Sequence, residues 1–259
     1  GGSAAVPLAS GSRRVLGEGQ GRIGRRKLLE GGRHLLGSIT DHYEARMLWS
    51  KGFKGQQVKV AIFDTGIDAK HKAFNHILDR SNWTDEETLE DRLGHGTFVA
   101  GVVASKNNDC HGFAEESEIH TFRVFTQRQM SFTSWFLDAF NYAIQKRMNI
   151  LNLSIGGPDY HDHPFIDKVW EMSANNIIVV SAIGNDGPLW GTLNNPADQA
   201  DVIGVGGIDY QGRMAGFSSR GMTTWELPGG YGRVKPDIVA YGKDVSGSAI
   251  NGGGRSPSW

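Results

Sequence analysis

The chain has 259 residues, 39% of them hydrophobic and 21% charged, a balance that suits one large α/β domain with a sizeable core. A formal net charge of −1 gives no overall electrostatic reason to expect nucleic acid as a partner. No apolar run reaches the roughly eighteen residues a membrane-crossing helix needs, and the single cysteine, Cys110, excludes an internal disulfide.

No signal peptide is visible, and a start at Gly1 rather than Met reads as a fragment of a longer chain. Residues 1–37 are rich in Gly, Ser and Arg and bury too little apolar surface to offset their ordering entropy. They are expected to form a flexible basic arm. Two near-repeats within it, Arg26-Lys27-Leu28-Leu29 and Arg33-His34-Leu35-Leu36, lie where proteolysis concentrates. The ordered pattern starts at Ser38, with a short amphipathic helix predicted over Asp41–Trp49. Strands are then predicted at Val58–Phe63, Ile119–Phe125, Ile150–Ser154, Ile177–Ile183 and Val202–Gly206. They are short, β-branched and apolar without alternation, as strands covered on both faces should be. Helices are predicted at Gly96–Ser105, Thr133–Arg147 and Pro164–Asn175. In the first, Ala100, Gly101 and Ala104 recur at helical spacing, so that helix can sit close to a sheet. The alternation predicts a doubly wound parallel sheet with helices on both faces.

In such a sheet, sites lie beyond the carboxyl ends of the strands. Asp64-Thr65-Gly66 closes the first strand, and Ser181-Ala182-Ile183-Gly184-Asn185 closes the fourth. His95 opens the helix reached through the long Ile67–Leu93 excursion, within Gly94-His95-Gly96-Thr97. Alone, each is ordinary turn or capping chemistry. Together they put an acid, a base and an amide donor on one sheet edge. A dinucleotide-binding reading fits the alternation but lacks a Gly-x-Gly-x-x-Gly between first strand and first helix. Asn82-Trp83-Thr84 fits a glycosylation sequon, and Asn152-Leu153-Ser154 repeats the pattern inside a predicted buried strand.

The order acid then histidine, with Val-Ala-Ile-Phe-Asp64-Thr-Gly, Gly-His95-Gly-Thr-Phe-Val-Ala-Gly, Leu-Asn-Leu-Ser154-Ile-Gly-Gly-Pro and Ser-Ala-Ile-Gly-Asn185-Asp-Gly-Pro, resembles the subtilisin family of serine proteases. The resemblance runs from about Ile39 to Gly253, and several blocks narrow it to a secretory-pathway processing branch: Phe122-Arg-Val-Phe-Thr, Gly191-Thr-Leu-Asn-Asn-Pro-Ala-Asp and Phe217-Ser-Ser-Arg-Gly-Met-Thr-Thr-Trp. It implies an incomplete peptidase domain over residues 38–253, with residues 1–37 a propeptide remnant. His95 would be general base, Asp64 its orienting carboxylate and Asn185 the oxyanion donor. Ser154, Ile155 and Gly156 would form an edge for a substrate strand, with Gly156 and Gly157 leaving it room. The implied substrates are membrane-anchored transcription factor precursors, cut on the luminal side after Arg-x-hydrophobic-x. Both near-repeats of the arm fit that pattern, as autoprocessing sites freeing the chain's own propeptide. Calcium is a family cofactor, but Asp85, Glu86, Glu87, Glu90, Asp91, Asp201, Asp209 and Asp237 match no defined calcium loop, so no metal ligand is assigned.

The family sets its nucleophile in Gly-Thr-Ser at a helix start. This sequence continues past Gly253 as Gly254-Arg255-Ser256-Pro257-Ser258-Trp259, and neither serine has that setting. Residues 254–259 are therefore expected to be a non-family tail. The chain as given is expected to lack the family's later helices, leaving one side of the core exposed, and to be inactive alone. The alternative function is a non-catalytic form that binds substrate or propeptide without cleaving it.

Overall fold

The computed structural model describes residues 38–74, 77–108, 110–157, 163–223 and 232–250. The basic arm with its two near-repeats, and the 254–259 tail with Ser256 and Ser258, lie outside them. In chain order, helices α1 (Ile39–His42) and α2 (Ala45–Ser50) precede strands β1 (Lys59–Asp64) and β2 (Ile77–Asn82). Helix α3 (His95–Ala104) and the short pair β3 (Lys106–Asn107) and β4 (Cys110–His111) follow. Next come β5 (Glu118–Arg123), α4 (Thr133–Gln145), β6 (Ile150–Leu153), α5 (His163–Ala174) and β7 (Ile178–Ala182). Strands β8 (Val202–Ile208), β9 (Gly221–Met222), β10 (Val234–Lys235) and β11 (Ile238–Tyr241) complete the order.

Seven strands form one sheet, ordered β11-β8-β7-β6-β1-β5-β2, and every pairing in it is parallel. Strand β1 lies inside the sheet, between β6 and β5, and is apolar on both faces. Its Ala61 and Phe63 join Phe136, Phe140, Phe165, Leu151 and Val179 in the core beneath α4 and α5. Its Val60 and Ile62 join Ile119, Ala100 and Ala104 beneath α3. Phe63 stacks on Phe122 of β5 with centroids 4.4 Å apart, and Phe136 and Phe140 close over them. This is the doubly wound parallel sheet with helices on both faces that the alternation predicts. Winding reverses at β1, with β5 on one side and β6 on the other, and a crevice opens at such a reversal.

Three differences from the predicted elements have local causes. The helix expected over Asp41–Trp49 is two helices, because Glu44 sits in the left-handed region at φ 52° and turns the chain between α1 and α2. Strand β2 went unpredicted because Ile77–Asn82 carries Asp79, Arg80, Ser81 and Asn82; pairing at the sheet edge tolerates them. Strand β11, only four residues after a proline, is equally short of signal.

No helix follows α5 among the described residues. Ile178, Ile203 and Ile238, at alternate positions of β7, β8 and β11, are 53%, 38% and 54% exposed. Their registers place them on the α3 side of the sheet. The core is thus closed on the α4–α5 side and open over half of the other, as the expected loss of later helices requires. No described helix is long and apolar enough to cross a membrane.

The two sides should respond differently to mutation. Phe140→Ala removes a fully buried ring and is expected to cost about 3–5 kcal/mol in urea unfolding. Ile178→Thr, on the open side, should stay within about 0.5 kcal/mol.

Candidate active site

Asp64 ends β1 and is 1% exposed. His95 is the first residue of α3 and its side chain is 18% exposed. The two meet across 31 residues of sequence: His95 Nδ1 lies 2.7 Å from Asp64 Oδ1 and 2.9 Å from Oδ2. A carboxylate only accepts, so Nδ1 carries the proton and Nε2 is the basic nitrogen. The Thr65 N–H donates to Asp64 Oδ1 at 2.7 Å and fixes the carboxylate plane. Burial pushes the His95 pKa down. The adjacent Asp64 charge, the Asp64 hydrogen bond and the Asp91 charge outweigh it, and the pKa stands above its ordinary 6.5.

Two glycines allow the meeting. Gly94 has φ 92°, which turns the loop into the helix at little cost. Gly96 lies against the turn after β1, where a Cβ would overlap the Gly66 carbonyl oxygen and lie 3.2 Å from Asp64 Cβ. Ala100 and Ala104 seat the same helix on the sheet, as their spacing predicts. Gly101 does otherwise: it faces Ser248 rather than the sheet.

The loop from β2 to α3 is held from beneath. Arg123, paired in register with Asp64, is 2% exposed. Its guanidinium donates to Thr84 Oγ1 at 2.8 Å and Asn82 Oδ1 at 3.3 Å, and pairs with Glu86. Arg80 donates to the Ile67 and Leu89 carbonyls. Asn82 of the sequon is engaged within this loop, accepting from the Thr84 N–H at 3.1 Å and hydroxyl at 2.8 Å. Nothing in residue type alone marks Arg123 for this work; a lone arginine ending an apolar strand was the available signal.

Strand β6 lies beside β1 and β7 beside β6, so Asp64, Ser154 and Asn185 leave three neighbouring strand ends on one edge. Asn185 is exposed. Its loop is pinned on both flanks: Ser219 N–H donates to Gly184 O at 3.1 Å, and Asn194 Nδ2 donates to Asp186 Oδ2 at 2.7 Å. Gly184 has φ 117°, and a Cβ there would press on Asn194 and Ser219. Ser154 accepts from Asn152 Nδ2 at 2.8 Å, and the Ile155 side chain belongs to the core. The space left by Gly156 is taken by Asn194. Gly157 exchanges both backbone hydrogen bonds with Asn195.

Five of the eight acids weighed as calcium ligands are engaged by protein donors. Asp209 is spent on Arg213 and two backbone N–H groups. Asp237 Oδ2 takes the buried Lys235 ammonium at 2.6 Å and the Gly204 N–H. Glu86 and Glu90 pair with arginines. Asp91 accepts five hydrogen bonds from protein donors.

A buried acid oriented on the Nδ1 of a helix-start histidine, in that order along the chain and at the carboxyl edge of a parallel sheet, defines a subtilisin-like serine protease domain. The chain belongs to the subtilase family, whose pattern matches residues 55–257. It is 63% identical over 238 residues to the membrane-bound transcription factor site-1 protease of Homo sapiens, covering 92% of this chain and 22% of that protein. It is 66% identical over 229 residues to the subtilisin-like protease SBT6.1 of Arabidopsis thaliana, covering 87% and 22%. Similarity to the subtilisin of Bacillus pumilus is 31% over 235 residues, covering 83% and 84%. The chain thus spans about a fifth of the length of the human and Arabidopsis relatives.

Gly96→Ala must push α3 away from β1. Its expected result is a His95 titration midpoint, read by imidazole NMR, displaced to lower pH than in the wild type, because the charge that raises it has receded.

Proposed function

We propose that this chain supplies the acid, base and oxyanion donor of an Asp-His-Ser endopeptidase, through Asp64, His95 and Asn185. The observation that carries this is the Asp64–His95 contact at 2.7 Å, with the acid buried and the histidine partly open. In this reading His95 Nε2 takes the serine hydroxyl proton and returns it to the leaving amine, while Asp64 stabilises the imidazolium. Asn185 donates its amide to the oxyanion of the tetrahedral intermediate. Ser154, Ile155 and Gly156 form the edge along which an extended substrate pairs.

The relatives' names supply the finer reading. Site-1 protease is named for membrane-bound transcription factors. We carry that to this chain as a proposal: cleavage after Arg-x-Leu-x or Arg-x-hydrophobic-x in luminal parts of membrane-anchored transcription factor precursors, within the endoplasmic reticulum or Golgi. The two near-repeats at Arg26–Leu29 and Arg33–Leu36 would be the matching sites within its own propeptide segment. A second reading is favoured by one observation: no Gly-Thr-Ser occurs in the 259 residues. The chain by itself then binds substrate or propeptide without cleaving it.

Fluorophosphonate labelling separates the two states. The 259-residue chain should show none; labelling at Ser256 or Ser258 would overturn the second reading. A fusion that restores a relative's Gly-Thr-Ser segment should label and should cleave an Arg-x-Leu-x peptide. In that fusion Asn185→Ala should lower kcat about 10²–10³-fold. Because the base form of His95 is lost as pH falls, the acid limb of its kcat/KM profile should lie above pH 6.5. A fusion that folds and labels but ignores Arg-x-Leu-x peptides would sink the substrate assignment.

A further inference from the structure

Asp91 lies four residues before His95 and is only 6% exposed, unlike the other acids of its cluster. Its Oδ1 accepts from Thr65 Oγ1 at 2.9 Å, the Leu93 N–H at 3.0 Å and the Gly94 N–H at 2.7 Å. Its Oδ2 accepts from the Thr97 N–H at 2.9 Å and Thr97 Oγ1 at 2.6 Å. Both hydroxyls relay a further backbone donor: Gly96 N–H bonds to Thr65 Oγ1, and Asp68 N–H to Thr97 Oγ1, each at 3.0 Å. Five backbone N–H groups thus end, directly or through one hydroxyl, on a single carboxylate.

Those donors come from both sides of the site. Thr65 follows Asp64 in the turn after β1. Gly94 and Gly96 flank His95. We propose that Asp91 is a positioning residue for the Asp64–His95 pair, its carboxylate clamping the turn after β1 to the first turn of α3. The inference rests on the reading of that pair as catalytic.

The chemistry of the clamp requires an anion. All five direct partners donate, so an amide at the same place would turn its own N–H groups toward other donors. A buried carboxylate with this many donors also adds fixed negative charge at a helix N-terminus, beside an imidazole that becomes cationic during turnover. The other charged groups around it are Asp64 and His95, Arg80 with Glu90, the neighbouring Arg92, and Arg123, whose side chain packs on Gly66.

The test is imidazole NMR titration of the 259-residue chain, with the His95 signal assigned by its loss in His95→Gln. Asp91→Asn should bring the His95 midpoint to lower pH than in the wild type. It should also speed amide exchange at Leu93, Gly94 and Gly96. Asp91→Glu keeps the charge but displaces it by one methylene. It should speed the same amides while moving the midpoint less, and it serves if Asp91→Asn does not fold. A folded Asp91→Asn, or in its place a folded Asp91→Glu, with midpoint and exchange both as in the wild type would overturn the inference. Asp64→Asn separates the two readings. If it moves the midpoint and the Asp91 variants do not, Asp91 is not a positioning residue. If Asp64→Asn leaves the midpoint in place, the catalytic pair itself is wrong.

Discussion

The site depends on one close approach, the seating of Gly96 on the Gly66 carbonyl. Asp64 and His95 belong to different elements, and a hydrogen bond of 2.7 Å between them tolerates little error in how α3 meets β1. Any side chain at residue 96 would occupy space that backbone already fills. Packing therefore sets the geometry, and electrostatics then uses it. Once the acid is held dry against the imidazole, its charge and hydrogen bond, with the charge of Asp91, together outweigh the burial that would otherwise suppress protonation. A looser seat would leave a solvated carboxylate and an ordinary histidine.

The parallel sheet brings the rest of the proposed site to the same edge by simple adjacency. Strands β1, β6 and β7 are neighbours, so the residues that leave their ends are spaced by the roughly 4.8 Å pitch of a sheet. Asn185 is two strands from Asp64 and needs no long loop to reach the same edge. What it needs is a loop that does not sag, and the asparagine and serine at 194 and 219 provide that from the far side of the chain.

The sequence was most informative where one residue type has one physical use. Apolar runs without alternation marked β1, β5, β6, β7 and β8, because only strands covered on both faces tolerate them. Gly-His-Gly marked the site because both glycines answer a backbone demand. It was least informative where a residue's role is set by distant neighbours. Asp91 looks like one more surface acid among Asp85, Glu86, Glu87 and Glu90, and only burial distinguishes it. Arg123 looks like a polar strand end. Gly156 is also closely approached by Asn194, and Gly157 exchanges backbone hydrogen bonds with Asn195, neither of which the sequence pattern showed. The break between α1 and α2 is a single left-handed residue, Glu44, of a type that does not advertise such a conformation.

The anchoring of the 82–91 loop on Arg123 has a consequence for synthesis. A ribosome adds Asp64 and His95 before Arg123, so both exist in the chain while the side chain that anchors the loop between them has yet to be made. Until β5 docks beside β1, the 82–91 loop that leads into α3 lacks the guanidinium that holds it. That docking must close a long stretch of chain, which makes it one of the slower steps in assembling such a sheet. The order of synthesis thus places the anchor of this loop after both of the residues that the loop separates.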